Sequence, residues 1–311
     1  MSNTPDVQRS ARRMMQVLWA IYLASYPIAV AGVAFDVRPG FSLAWAGSVL
    51  LFVQGSLAAL ALIISMGWWR GGLLALAILV GGYFVETIGV MTGFPFGHYR
   101  YTTILFPQLP GTVPLPVVCA WLVVAVTAVA TARSIAPGKT PIQRWQQIGL
   151  ATAFGVGFDL VLEPVAVHVQ HYWIWQSTGP YYGIPFVNFL GWAALCAVLC
   201  TLLVWAGPTP APDLQTAPSP FSQMEREISL QTDRVNARLI SSGASPSPFV
   251  RMGRELGGGA IPVWLYVLTL GMFAVIDLTH GLGYAALFGI VIGGSLALRW
   301  CAAYHNSDKQ C

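Results

Sequence analysis

Charge is what this sequence lacks. Only 9% of its 311 residues are Asp, Glu, Lys or Arg, against about 25% in soluble domains. A deficit this large excludes a chain whose surface is mostly solvated by water. Histidine is scarce as well. Five in the whole chain are too few for the histidine-rich di-iron sites of membrane hydroxylases and desaturases. The lone His-x-x-His of His168 and His171 is therefore a weak metal signal, and no metal is expected. None of the five cysteines forms a CxxC pair, and Cys196 and Cys200 fall on one helix face inside an apolar run, as small core hydrophobes do. No GxGxxG follows a strand, and neither a Walker loop nor a GxSxG elbow is present. Rossmann cofactor binding, P-loop chemistry and elbow-type hydrolysis are thereby disfavoured. The net charge of +4 is spread between apolar runs without a basic patch, so nucleic acid is not expected as a partner.

What is present is hydrocarbon. Hydrophobic residues make up 56% of the chain, and the mean hydropathy is +0.64. Crossing a bilayer takes about 20 apolar residues in a helix. Eight stretches qualify: 14–34, 44–66, 71–90, 115–133, 148–167, 186–206, 262–279 and 281–299. The fold class expected is all-α, a polytopic bundle of about eight transmembrane helices. The first stretch follows Arg9, Arg12 and Arg13 as a signal peptide would, but its apolar run exceeds the ~7–15 residues of a signal core and reads as an anchor. The last two are joined tightly through His280 and Gly281, and a single re-entrant hairpin is the alternative there.

With the N-terminus placed in the cytoplasm, fourteen of the sixteen Lys and Arg fall in inner segments, and only Arg38 and Arg100 fall outside. This is a strong positive-inside pattern; it puts both termini in the cytoplasm and suggests a bacterial cytoplasmic membrane. Three regions follow: a bundle of spans one to six over 1–206, a cytoplasmic linker over 207–260, and a membrane hairpin with a short tail over 261–311. The linker opens Pro-rich. Phe221, Met224, Ile228, Val235 and Leu239 then share a helical face, as an amphipathic surface helix or a docking site for a partner enzyme would.

Eight of the twelve acidic residues lie in tails, loops or the linker. Four do not: Glu86, Asp159, Glu163 and Asp277. An ionisable group within a span costs about 2.5–3.5 kcal/mol on insertion scales and usually faces a cavity or a partner. All four lie toward the outer side, as do His98, His168, His171, His280, Arg100 and Asn188. Two helix pairs share a weak repeat. Glu86 is followed by His98-Tyr99, Pro114 and Trp121; Glu163 by His171-Tyr172, Pro185 and Trp192. A third pair offers only Asp277 and His280. Repeats of this kind commonly meet at a shared site.

Asp159 and Glu163 are four apart, so they share a helix face. Two close carboxylates in low dielectric cannot both ionise cheaply, so one pKa should rise and leave a protonated acid beside an apolar cavity. General-acid chemistry on a hydrocarbon needs such a group. Pro164 frees a backbone carbonyl one turn earlier and adds local polarity. The structural alternative for the pair is an interhelical hydrogen-bond network. For Glu86 and Asp277 it is reach to the headgroups. For Trp173, Trp175, Tyr181 and Tyr182 it is an interfacial aromatic belt.

Three stretches carry a family resemblance: GGYFVETIGVMTGFPFGHYRYT (81–102), FDLVLEPVAVHVQHYWIW (158–175) and GPYYGIPFVNFLGW (179–192). Together they resemble the carotenoid biosynthesis membrane-protein family, whose members include the CruF-type carotenoid hydratases. The similarity covers roughly 15–205 and, more loosely, 262–300. The resemblance implies cofactor-free addition of water across the terminal C1′=C2′ bond of a ψ-end group. It also implies a lipid-soluble carotenoid substrate held in the bilayer, with other enzymes of the pathway as candidate partners.

Within the matched stretches, Asp159 or Glu163 is the expected acid, with Glu86, His98 and His171 positioning or deprotonating water. Trp173, Trp175, Tyr99, Asn188, Asp277, His280 and Arg100 are the expected substrate contacts. An end-group cyclase would use the same acid, with an internal double bond trapping the cation. A proton-coupled transporter would use the same acids as a relay, although no matching inner-half site is visible. An intramembrane aspartyl protease lacks its sequence contexts around Asp159 and Asp277.

Overall fold

In the computed structural model, residues 5–37, 44–207 and 260–308 are described. The amphipathic pattern at 221–239, Arg38 and the rest of the linker lie outside them. Among the described residues, eight α-helices run in chain order: α1 Pro5–Ala34, α2 Ala44–Met66, α3 Trp68–Thr92, α4 Leu115–Ile135, α5 Pro141–Pro164, α6 Phe186–Ala206, α7 Ile261–Thr279 and α8 Gly283–Asp308. The all-α bundle expected from the sequence is what forms.

Seven helices have the length and apolarity to cross a membrane. The eighth, α8, carries the apolar stretch Gly283–Arg299, shorter than the other seven, within a helix that continues to Asp308. At about 1.5 Å per residue, the 19 residues of α7 span about 28 Å, long enough to cross without α8.

Local chemistry sets the ends. Thr140 and Gln143 form a capping box at the start of α5, with Pro141 at the first helical position. Helix α3 stops at Gly93, whose φ of 78° closes it through an N–H to the Gly89 carbonyl. Helix α4 is the axis of the bundle. Residues 121–129 are buried without a break, and α2, α3, α5, α6 and α7 pack around them. Cys196 and Cys200 are buried in α6, as expected of core thiols. Helix α3 shows the opposite surface. Trp69, Leu73, Leu76, Val80, Phe84, Ile88 and Met91 recur every three or four residues and are all exposed. In water such a stripe would be a liability; in lipid it is an ordinary helix face.

Two short strands, β1 Tyr99–Tyr101 and β2 Trp173–Trp175, were not foreseen in the all-α reading. They pair antiparallel, Tyr99 with Trp175 and Tyr101 with Trp173. The ladder ties the α3–α4 connection to the α5–α6 connection. The α7–α8 turn joins them through Tyr284 N–H to the Tyr182 hydroxyl (2.9 Å). The start of α2 joins through Phe106 N–H to Ser48 Oγ (3.1 Å). The connections therefore gather at one end of the bundle, where the sequence had placed the acids and histidines.

Candidate active site

Glu86 projects from α3 between two glycines, Gly82 and Gly89, on the same helix face. A Cβ at Gly89 would lie 2.7 Å from the Tyr99 hydroxyl, and one at Gly82 would lie 3.2 Å from the Trp121 ring. Their absence lets both side chains reach the carboxylate. Tyr99 and Tyr101 donate to Oε2 at 2.5 and 2.7 Å, and the Trp121 indole N–H donates to Oε1 at 2.7 Å. The tyrosines sit at alternate positions of β1, so they share a face, and Arg100 between them points away and is exposed. Burial, and then the Glu86 charge, push both tyrosine hydroxyls well above their ordinary range, so they remain protonated donors.

Glu163 repeats this arrangement from α5. The indole N–H groups of Trp173 and Trp175, alternate residues of β2, donate to its Oε2 at 3.2 Å each. Asn188 on α6 donates to its Oε1 at 3.3 Å and to Asp159 Oδ2 at 2.9 Å. One amide thus uses both hydrogens to hold the two carboxyls that share the α5 face. Asp159 Oδ1 has no partner among the described residues. The repeat read weakly from sequence takes this physical form: strand residues of each half bind the acid of that half. Trp121 and Trp192, equivalent in the two halves, meet with ring centroids 4.3 Å apart.

Beyond Pro164 the chain makes one π-helical turn, Val165–Val169. Pro164 has no N–H for the Leu160 carbonyl, and the Tyr181 hydroxyl donates to that carbonyl instead, at 2.7 Å. The expected local polarity is therefore satisfied by a side chain from the next loop.

Glu86 and Glu163 line one cavity of about 1120 Å³, which reaches from α1 and α2 to the aromatic wall of the two strands. Both are nearly inaccessible otherwise, at 4% and 2% exposed. Ile28, Val33, Leu50 and Val53 make its outer side, with Gln54 at its depth; Tyr99, Trp121, Trp173, Trp175, Asn188 and Trp192 make its inner wall. His171 and His280 stand at the same cavity, with Nδ1 of each against the carbonyl four residues earlier.

The structure does not bring every expected residue here. Asp159 lies behind Glu163, reached only through Asn188. His98 and Arg100 are exposed and line neither this cavity nor the smaller one beside it. Asp277 is fully buried, with neither carboxyl oxygen partnered among the described residues, and it does not line the cavity. Of the third acid–histidine pair, His280 reaches the cavity and Asp277 does not. Among the described residues, no three His, Cys, Asp or Glu side chains gather as a metal site requires.

Tyr101, Trp121, Trp192 and Gln54 were not among the expected site residues. The signal for Tyr101 was present: tyrosines two apart share a strand face once HYRY is read as a strand. For Trp121, the signal was the pair of glycines around Glu86.

The fold and the cavity define an α-helical integral membrane protein with carboxylates set into an apolar, aromatic-walled chamber. The chain belongs to the carotenoid biosynthesis protein family, whose model matches residues 46–230. A relative, the bisanhydrobacterioruberin hydratase of Haloarcula japonica, is 36% identical over 126 residues, 40% of this chain. That match spans 41% of the relative's length. No solved structure matches the chain.

Proposed function

We propose that this chain is a carotenoid hydratase that adds water across the terminal C1′=C2′ bond of a ψ-end group. The observation that carries the reading is the cavity itself: an apolar chamber for a hydrocarbon end group, with two buried carboxylates in its wall. The relative named as a hydratase supports the same class of reaction.

Asp159 and Glu163 share one proton, since two neighbouring anions away from water repel strongly. Glu163 reaches the cavity, so it delivers that proton to C2′. The π electrons form the new C–H bond, and a tertiary cation remains at C1′. Glu86, held by three donors, is the fixed negative charge that stabilises this cation, with the faces of Trp121 and Tyr99 beside it. Water then forms the C–O bond at C1′ and loses a proton to Glu163. The acid is restored, and the net change is one added water. Asn188 holds the acid pair in register, and His171 orients the water. No step requires a cofactor. His98, Arg100 and Asp277 have no place in this sequence of steps, and His280 at the cavity rim serves substrate binding.

The membrane is proposed to be a bacterial cytoplasmic one, with both termini inside. The test is expression in bacteria that accumulate lycopene or γ-carotene, followed by mass analysis of the pigments. A product heavier by one water supports the reading, and an isomeric product replaces it with a cyclase.

A further inference from the structure

Glu163 has a second side. Behind the aromatic wall lies another cleft, of about 570 Å³, that shares His168, His171, Trp173 and Trp175 with the main cavity. The shared tryptophans are the two that donate to Glu163, so the acid stands one side chain away from this cleft. The two chambers differ in kind. Helix hydrocarbon dominates the first, whereas loop residues wall the second, with Gln176, Ser177 and Thr178, all exposed, beside Ile174 and the shared tryptophans.

The loop that forms the second cleft is pinned in place. Tyr181 holds the Leu160 carbonyl, and Tyr182 is held through its carbonyl by His168 Nε2 (2.8 Å) and through its hydroxyl by Tyr284 N–H. A ring nitrogen facing a carbonyl carries the hydrogen, so in a neutral histidine the other nitrogen is an acceptor. His168 faces a carbonyl with Nε2 and His171 with Nδ1, which leaves each an acceptor nitrogen for water.

We infer that the reaction has two separate entrances: the carotenoid end group enters the apolar cavity from the α1–α2 side, and water enters through the loop-walled cleft under residues 176–183, past its exposed Gln176, Ser177 and Thr178 and then His168 and His171. This inference rests on the hydratase reading and names the route of its second substrate. A separate route meters water to the cation without opening the apolar cavity to it. The oxygen that arrives bonds to C1′, and its surplus proton passes to Glu163.

The test is to fill the cleft without touching the cavity. Thr178→Trp and, separately, Ser177→Trp alter exposed residues that line only the cleft. Membranes carrying each variant are given lycopene, and two quantities are read: hydrated product, and carotenoid bound to the purified protein. Binding of the end group uses the apolar cavity alone, so it survives when water cannot reach the cation. The expected result is at least a tenfold loss of hydrated product with bound carotenoid retained. Unchanged hydration in both variants overturns the separate route, as does a parallel loss of hydration and binding in both. Absence of hydrated product from the unsubstituted chain is a different result, and it defeats the hydratase reading itself.

Discussion

Two carboxylates reach the cavity, and each accepts from three donors. Glu163 differs in having a second carboxyl, Asp159, on the other hydrogen of Asn188, and two such groups favour one shared proton. Glu163→Gln keeps the shape and removes the acid. Turnover should fall by about 10²–10⁴-fold, the range for a general acid, with membrane protein level preserved. Pigment analysis beside an immunoblot checks this, and near-normal product would defeat the assignment. Tyr99→Phe removes one hydroxyl from Glu86, and a hydrogen bond to a charged group is worth about 1.5–3 kcal/mol. Turnover should drop at least tenfold, and Tyr99→Phe with Tyr101→Phe should drop it further. His98→Ala, at an exposed ring, should leave product yield within about twofold. At this scale, spacing alone revealed Asp159 with Glu163, because four residues along a helix is a fixed geometry. It did not reveal Asn188 as their bridge or Trp121 as a donor, because those contacts cross between helices and depend on packing.

The elements owe their positions to a few local devices. Gly89 gives Tyr99 room, so Gly89→Val should displace the Tyr99 hydroxyl from Glu86 and reduce turnover about as much as Tyr99→Phe does. Combining the two substitutions should cost little more than either alone, and a fully additive loss would contradict the shared cause. Tyr181 covers the carbonyl that Pro164 leaves open. Tyr181→Phe should lower stability by about 1–3 kcal/mol, read as a fall in the melting temperature of detergent-solubilised protein. Pro164→Ala in that background should recover part of it, by supplying the missing N–H. The helices were legible in the sequence because long apolar runs have one solution in a bilayer. The strands were not, because three residues are too few to show a period of two and their pairing partners lie more than seventy residues apart.

For the whole molecule, the polar chemistry lies at one end of the bundle, and basic residues mark the other. Arg133 donates to the Leu203 carbonyl at the end of α6, and Arg144 stands over the Trp205 ring at 4.7 Å. From the positive-inside pattern we propose that the site lies toward the outer face. With Cys301 and Cys311 replaced by serine, a membrane-impermeant thiol reagent should label Arg100→Cys in intact cells, and Lys139→Cys only after lysis. The reverse pattern would invert the bundle. Sequence carried the family, since it is written in local motifs. It did not carry the shape of the cavity, which depends on how α1 and α2 stand off from the aromatic wall. The measurement that bears most directly on function is pigment mass after expression in a lycopene-accumulating bacterium grown with ¹⁸O-labelled water. A hydroxylated carotenoid with one labelled oxygen, lost in Glu163→Gln, is the predicted result. An unchanged or isomeric pigment, with the protein present in the membrane, would contradict it.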